Sequence, residues 1–325
     1  MDRWDRAGRA AAYGAALALT PYLLIKASWV VGSLVGLLPV GAGFGMTEWV
    51  VLNSATIGMA GTGIAVALAL VRPWGMRIPG APLVFCAWVG AGFLVPVLPY
   101  AVLTSLLGSA DDGAEGGDDA DPSMPVWEAV LVQTGFVGMG LGLAIALPTY
   151  ARRRWPDAFV GRLGDHGEGG PRALPWMTVV GAAVGLVWLY WAVGGTAGVA
   201  HRDERGTAWY ALSATFGCWA LAASLATWAA VRGRPARLPR WVPMALGWLG
   251  SGSLFAWSGW KLPLTLYLAI ARPADASLPE DLALAAVLHL AAVVAGAAML
   301  RALIRTRTKS SGSWSLSSLV RRSAS

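Results

Sequence analysis

Charge is what this chain lacks most. Asp, Glu, Lys and Arg make up 13% of its 325 residues, where soluble proteins carry about 25%. That is too little to coat a soluble globule. There are two cysteines, Cys86 and Cys218, both inside apolar blocks, which excludes a disulfide scaffold and a Cys-rich metal site. The sequence has no Walker-type phosphate loop, no HExxH and no CxxC, so an ATP-driven pump and a zinc protease are not expected. No cofactor or metal is expected either. Carboxylates are missing from the middle of every apolar run: Glu48, Glu128, Glu280 and Asp281 all sit at run ends. Proton-coupled transporters usually place one near the midplane, so that class is disfavoured.

What is abundant is apolar sequence. Hydrophobic residues reach 56% and the mean hydropathy is +0.56. A membrane helix needs about 20 apolar residues, because the hydrocarbon layer is about 30 Å thick. Eight stretches qualify, near 11–37, 49–71, 82–107, 126–150, 174–198, 207–231, 242–268 and 281–304. The first contains Lys26 and exceeds a signal-peptide core in length, so it is expected to remain as a span. An all-α polytopic membrane protein follows, with the lipid bilayer as its first partner.

Basic residues give the orientation. Of the 25 Lys and Arg, all but Lys26, Arg202, Arg205, Lys261 and Arg272 fall in segments that alternate spans would place on one side. Positive loops resist translocation, so both termini are expected in the cytoplasm of a multi-pass cell-membrane protein. The same distribution accounts for the net charge of +7. Arginines spread over five segments read as topology anchors and contacts for anionic lipid, and no nucleic-acid partner is expected.

The two halves resemble each other. At an offset of 160, Trp49 meets Trp209, Val71-Arg72 meets Val231-Arg232, Arg77-x-Pro79 meets Arg237-x-Pro239, and Trp88-x-Gly90-x-Gly92-x-Leu94 meets Trp248-x-Gly250-x-Gly252-x-Leu254. Trp29 and Gly32 match Trp191 and Gly194 at 162. Each copy holds four spans, an even number, so both enter the membrane in the same direction as parallel repeats. The expected organisation is a cytoplasmic N-terminal tail (1–10), repeat 1 (11–150), a cytoplasmic linker (151–173), repeat 2 (174–307) and a Ser-rich disordered tail (308–325).

Tyr190-Trp191-Ala192-Val193-Gly194-Gly195 resembles a Tyr-Trp-Ala-x-Gly-Gly motif of small four-helix actinobacterial membrane proteins of unknown function. Ile25 to Gly32 is its degenerate counterpart in the first half. The resemblance covers about one span per half, and it implies a helical membrane fold and no activity.

Several residues could carry chemistry. Asp111, Asp112, Glu115, Asp118, Asp119 and Asp121 form an acidic outer loop. Its Gly-interrupted pattern lacks the ligand order of an EF-hand and reads as a solvated loop. Gly250-Ser251-Gly252-Ser253 with His289 resembles the Ser/His dyad of rhomboid-type intramembrane proteases, which needs a serine in reach of an imidazole. The same glycines recur at Gly90 and Gly92 without serine, so packing is the preferred reading.

Lys26 and Lys261 are the sharper candidates. An ammonium in hydrocarbon costs about 2.5–3.5 kcal/mol on insertion scales, so it snorkels, pairs or lines a wet cavity. Trp29 at i+3 and Trp257 at i−4 share the helix faces of the two lysines and can offset that cost through cation–π contact. Lys26 is expected to be buried against protein, with Glu48 or Glu128 as partners, and Lys261 to reach the outer interface. Lys26, Trp29, Glu48, Glu128, Trp257 and Lys261 are thus the candidate ligand-binding set, and no catalytic residue is assigned. The favoured role is structural, sensory or accessory, with an unidentified protein partner or small ligand. A transporter or channel with an outer-facing vestibule is the alternative, and an intramembrane enzyme the third.

Overall fold

The computed structural model of the chain describes residues 3–41, 45–106, 126–155, 160–166, 174–271 and 278–322. The acidic loop at 111–121 lies outside them. The α-helices among the described residues are α1 (Arg3–Leu34), α2 (Met46–Ala69), α3 (Pro73–Arg77), α4 (Gly80–Leu106), α5 (Val126–Arg154), α6 (Trp176–Ala192), α7 (Thr207–Arg232), α8 (Trp241–Ala271) and α9 (Leu282–Arg322). No strand occurs among the described residues, only two isolated backbone bridges.

Six of these helices are long and apolar enough to cross a membrane: α1, α2, α4, α5, α7 and α9. Large apolar side chains project from them into the surroundings: Leu17, Leu141, Leu225 and Val287 are 71%, 57%, 68% and 63% exposed. That arrangement suits lipid and not water. The two other expected spans differ for separate reasons. The α6 helix stops at Ala192 after 17 residues, where 174–198 was expected, because Gly194 takes a left-handed φ of 94° that turns the chain out of the helix. The 31 residues of α8 are long enough, but Trp, Gly, Ser and Lys261 dilute their hydropathy.

Two compact units divide the chain. Unit 1 comprises Met1–Gly90 and Thr104–Arg154, and unit 2 Ala91–Leu103 and Trp155–Ser325. In unit 1, α1 packs against α5 and α2. Small residues let the backbones approach closely: a Cβ at Gly142 of α5 would stand 2.6 Å from the Ala11 carbonyl oxygen of α1.

Unit 2 is a four-helix bundle in which α6 packs on α7 and α9, and α8 on α7 and α9. Glycine again sets the spacing. A Cβ at Gly250 of α8 would stand 2.7 Å from the Trp219 carbonyl oxygen of α7, and one at Gly296 of α9 would lie 2.7 Å from that of Ser251. Val184, Trp188, Trp191, Leu254 and Met299 fill the core between these crossings. The 91–103 stretch of α4 belongs to this unit, where Gly92 abuts the backbone of Gly252.

At one end of unit 2 the described part of the connector, residues 160–166, is held by backbone hydrogen bonds. Leu163 N donates to Leu238 O, Gly164 N to Ala236 O, and Arg240 N to Gly161 O, all at 3.0–3.1 Å. The Arg240 side chain, 5% exposed, donates to Thr306 O at 3.1 Å. The α9 backbone is helical to Arg322, which includes the segment whose serine content predicts disorder.

Candidate functional site

The candidate set falls into both units. In unit 1, Lys26 is half-buried on α1. Its Nζ lies 4.1 Å from the centroid of the Trp29 ring and 5.8 Å from that of Tyr22. The expected cation–π contact with Trp29 is therefore present. Trp29 in turn stacks on Trp49 of α2, with centroids 5.5 Å apart at 21°.

Trp49 is 7% exposed. Its indole N–H donates to Ser33 Oγ at 3.1 Å, and Gly41 lies against its ring. One turn further along α2, Asn53 is 1% exposed. Its side-chain amide donates to Trp49 O, and its Oδ1 is buried with no hydrogen-bond partner.

Glu48, a proposed partner of Lys26, is exposed at the start of α2. Its carboxylate accepts from Gly45 N at 3.0 Å, which satisfies the N-cap amide as the N3 residue of a capping box does. Glu128 lies in the first turn of α5 and is 7% exposed.

In unit 2, Trp257 on α8 donates from Nε1 to Phe93 O at 3.1 Å. It meets Phe93 and Phe216 edge-on, at 5.5 and 5.3 Å. This is packing on three helices rather than contact with Lys261. Lys261 is half-buried.

His289 does find a serine, though not one from the Gly-Ser-Gly-Ser run. Its Nδ1 is 3.2 Å from Ser258 Oγ, and its ring lies 6.3 Å from that of Trp188. Ser251 instead donates back to Trp248 O within α8, as serines in helices commonly do. Ser258 is 1% exposed, so the Ser258–His289 pair is a hydrogen bond tying α8 to α9 inside the bundle. Sequence reasoning missed Ser258, because an apolar helix gives no sign of which face turns inward.

The Tyr-Trp-Ala-x-Gly-Gly segment builds a densely hydrogen-bonded connection in unit 2. The Tyr190 hydroxyl accepts from Thr196 N and Ala197 N at 3.1 and 3.2 Å. Trp191, 2% exposed, donates to Ala197 O at 2.8 Å. Gly195 lies flat against the Tyr190 ring, where no Cβ fits. The loop is then fastened to the start of α9: Ala200 N donates to Pro279 O, and Asp281 N to Gly198 O. Trp209 Nε1 donates to Glu280 Oε1 at 2.8 Å, and the Trp191 and Trp209 rings lie 6.1 Å apart. Tyr190, Trp191, Gly194 and Gly195 thus each have a mechanical duty.

No group of three or more His, Cys, Asp or Glu that could hold a metal occurs among the described residues. No protein-family model, curated protein or solved structure matches this chain.

Proposed function

We propose that the chain is a non-catalytic multi-pass protein of the cell membrane, with a structural, sensory or accessory role. It has eight spans in two parallel four-helix repeats and cytoplasmic termini. The observation that carries the functional reading is the packing of the α6–α9 bundle. Its glycines bring helices together backbone to backbone, and Trp188, Trp191, Leu254 and Met299 fill what remains. A bundle packed this closely resists the helix movements and hydration that a transport path needs.

Three relationships support the repeats. The residues equated by the offsets are in ring contact in each unit, Trp29 with Trp49 stacked at 5.5 Å and Trp191 with Trp209 tilted at 6.1 Å. The first helix of each set packs on the second and on the last, α1 on α2 and α5 as α6 on α7 and α9. The offset counterparts Gly92 and Gly252 lie at one close backbone crossing within unit 2. Kinship with the Tyr-Trp-Ala-x-Gly-Gly membrane proteins belongs to the same proposal, supported by the interlocked roles of Tyr190, Trp191 and Gly195.

Lys26 is the residue through which a ligand or partner would act. Its ammonium on the Trp29–Trp49 stack offers an anion a cationic, aromatic seat.

Water accessibility inside the bundle tests the functional reading. In a protein with Cys86 and Cys218 replaced by alanine, single cysteines at Ser224, Ser253 and Ser258 report on positions 4%, 2% and 1% exposed. All three should resist a water-soluble maleimide in native membranes. Labelling at any of them would show a hydrated path and favour the transporter.

A further inference from the structure

The end of α5 carries three consecutive arginines, and each is used differently. Arg154 donates to Met76 O and Ile78 O at 3.1 and 3.0 Å, which closes the carbonyl end of α3. Arg153 donates to Leu70 O at 2.7 Å where α2 ends, and its Nε lies 4.0 Å from Asp5 of α1. Arg152 takes no part in this capping. It is exposed, and its guanidinium lies over the Trp4 ring at 6.0 Å.

Between these side chains is a cavity of about 210 Å³, lined by Trp4, Asp5, Thr149, Arg152 and Arg153. Two guanidinium groups face a single carboxylate, and that carboxylate is at the limit of ion-pair distance, so the cavity is net positive. Thr149 adds a hydroxyl whose hydrogen is already donated to Ile145 O at 2.7 Å. The only donors left to a guest are therefore the arginine forks and any unused N–H groups.

Depth identifies the guest. From Trp4 to Leu34 the α1 helix rises about 45 Å, which is the thickness of a bilayer with its headgroups. The first turn of α1 thus lies at headgroup level, and Trp4, 62% exposed, is the kind of side chain that settles there. Phosphate groups of lipids occupy that layer, and a guanidinium matches a phosphate with two parallel N–H···O bonds.

We propose that this cavity binds the phosphate of an anionic phospholipid headgroup, with Arg152 as the primary ligand and Trp4 as a lid against the glycerol. Arg153 has a shared role, since it also holds α2.

The test uses the full-length protein in nanodiscs of phosphatidylcholine containing one-fifth phosphatidylglycerol, with native mass spectrometry counting retained lipids. The wild type should retain phosphatidylglycerol selectively, and Arg152→Gln should bind it at least ten-fold more weakly. Arg152→Lys should recover part of the loss, and Arg237→Gln, an exposed arginine of unit 2, should bind like wild type. Thermal unfolding of each variant in plain phosphatidylcholine checks that Arg152→Gln is folded. In a parallel arm, inorganic phosphate and glycerol 3-phosphate at millimolar concentration should not displace the lipid. Undiminished retention by Arg152→Gln, an equal loss in Arg237→Gln, or displacement by free phosphate would overturn the proposal.

Discussion

Trp29 stacks on Trp49 with ring centroids 5.5 Å apart, and the same stack seats the Lys26 ammonium 4.1 Å above Trp29. A buried tryptophan truncated to alanine costs about 3–5 kcal/mol. Trp49→Ala should therefore lower the thermal unfolding midpoint in detergent markedly. If the halves are copies, Trp209→Ala should do the same through its own pair. A large effect at one position and none at the other would count against equivalence.

Lys26 tests whether stability or function keeps a charge in the span. Burying the ammonium costs about 2.5–3.5 kcal/mol, and the aromatic contact returns about 0.5–2 kcal/mol. Lys26→Met should abolish any ligand or partner binding while leaving expression intact. A clear drop in stability would mean that the lysine is a structural element. Lys261→Met should be nearly silent in binding.

Glycine contacts predict opposite outcomes at two helical sites, one in each unit. Gly250→Ala places a Cβ 2.7 Å from the Trp219 carbonyl oxygen, and this backbone crossing cannot yield without moving α7 or α8. It should destabilise unit 2 by about 1–3 kcal/mol. Gly58→Ala meets open space and should be neutral or slightly stabilising, since alanine favours a helix by up to about 1 kcal/mol. Differential scanning fluorimetry of the two variants distinguishes them.

Arg240 makes a prediction about pH. Desolvation lowers its pKa from the ordinary guanidinium value, so on raising the pH the folded state releases this proton before the unfolded chain does. Stability linked to this group can therefore only rise with pH, and only in the strongly alkaline range. Through neutral pH the guanidinium stays charged. The difference in stability between wild type and Arg240→Gln should consequently be flat across neutral pH in thermal melts.

The helical class was legible because apolar runs of 20 or more residues leave no other way to satisfy the backbone in lipid. The aromatic contacts were half legible. The spacing that equates Trp29, Trp49, Trp191 and Trp209 is printed in the sequence, but the burial of Trp49 is not. In a lipid-facing bundle both faces of a helix are apolar, so hydrophobic periodicity cannot say which residues turn inward. That is also why Ser258, not Ser251 or Ser253, was the unforeseen partner of His289. The place of Glu48 was hidden for a different reason. The sequence shows a carboxylate near a lysine, while the local need of the α2 N-terminus for an acceptor settled its place.

The most direct test of the eight-span account is the sidedness of two exposed residues, Asp203 and Arg237, on either side of α7. Each is replaced by cysteine in a background lacking Cys86 and Cys218, and intact cells are treated with an impermeant thiol reagent. If α6 and α8 both cross, with the amino terminus inside, Asp203→Cys is labelled and Arg237→Cys is protected until the cells are opened. If only the six helices that are both long and apolar enough cross, the pattern reverses. Labelling of Arg237→Cys with protection of Asp203→Cys would contradict the account.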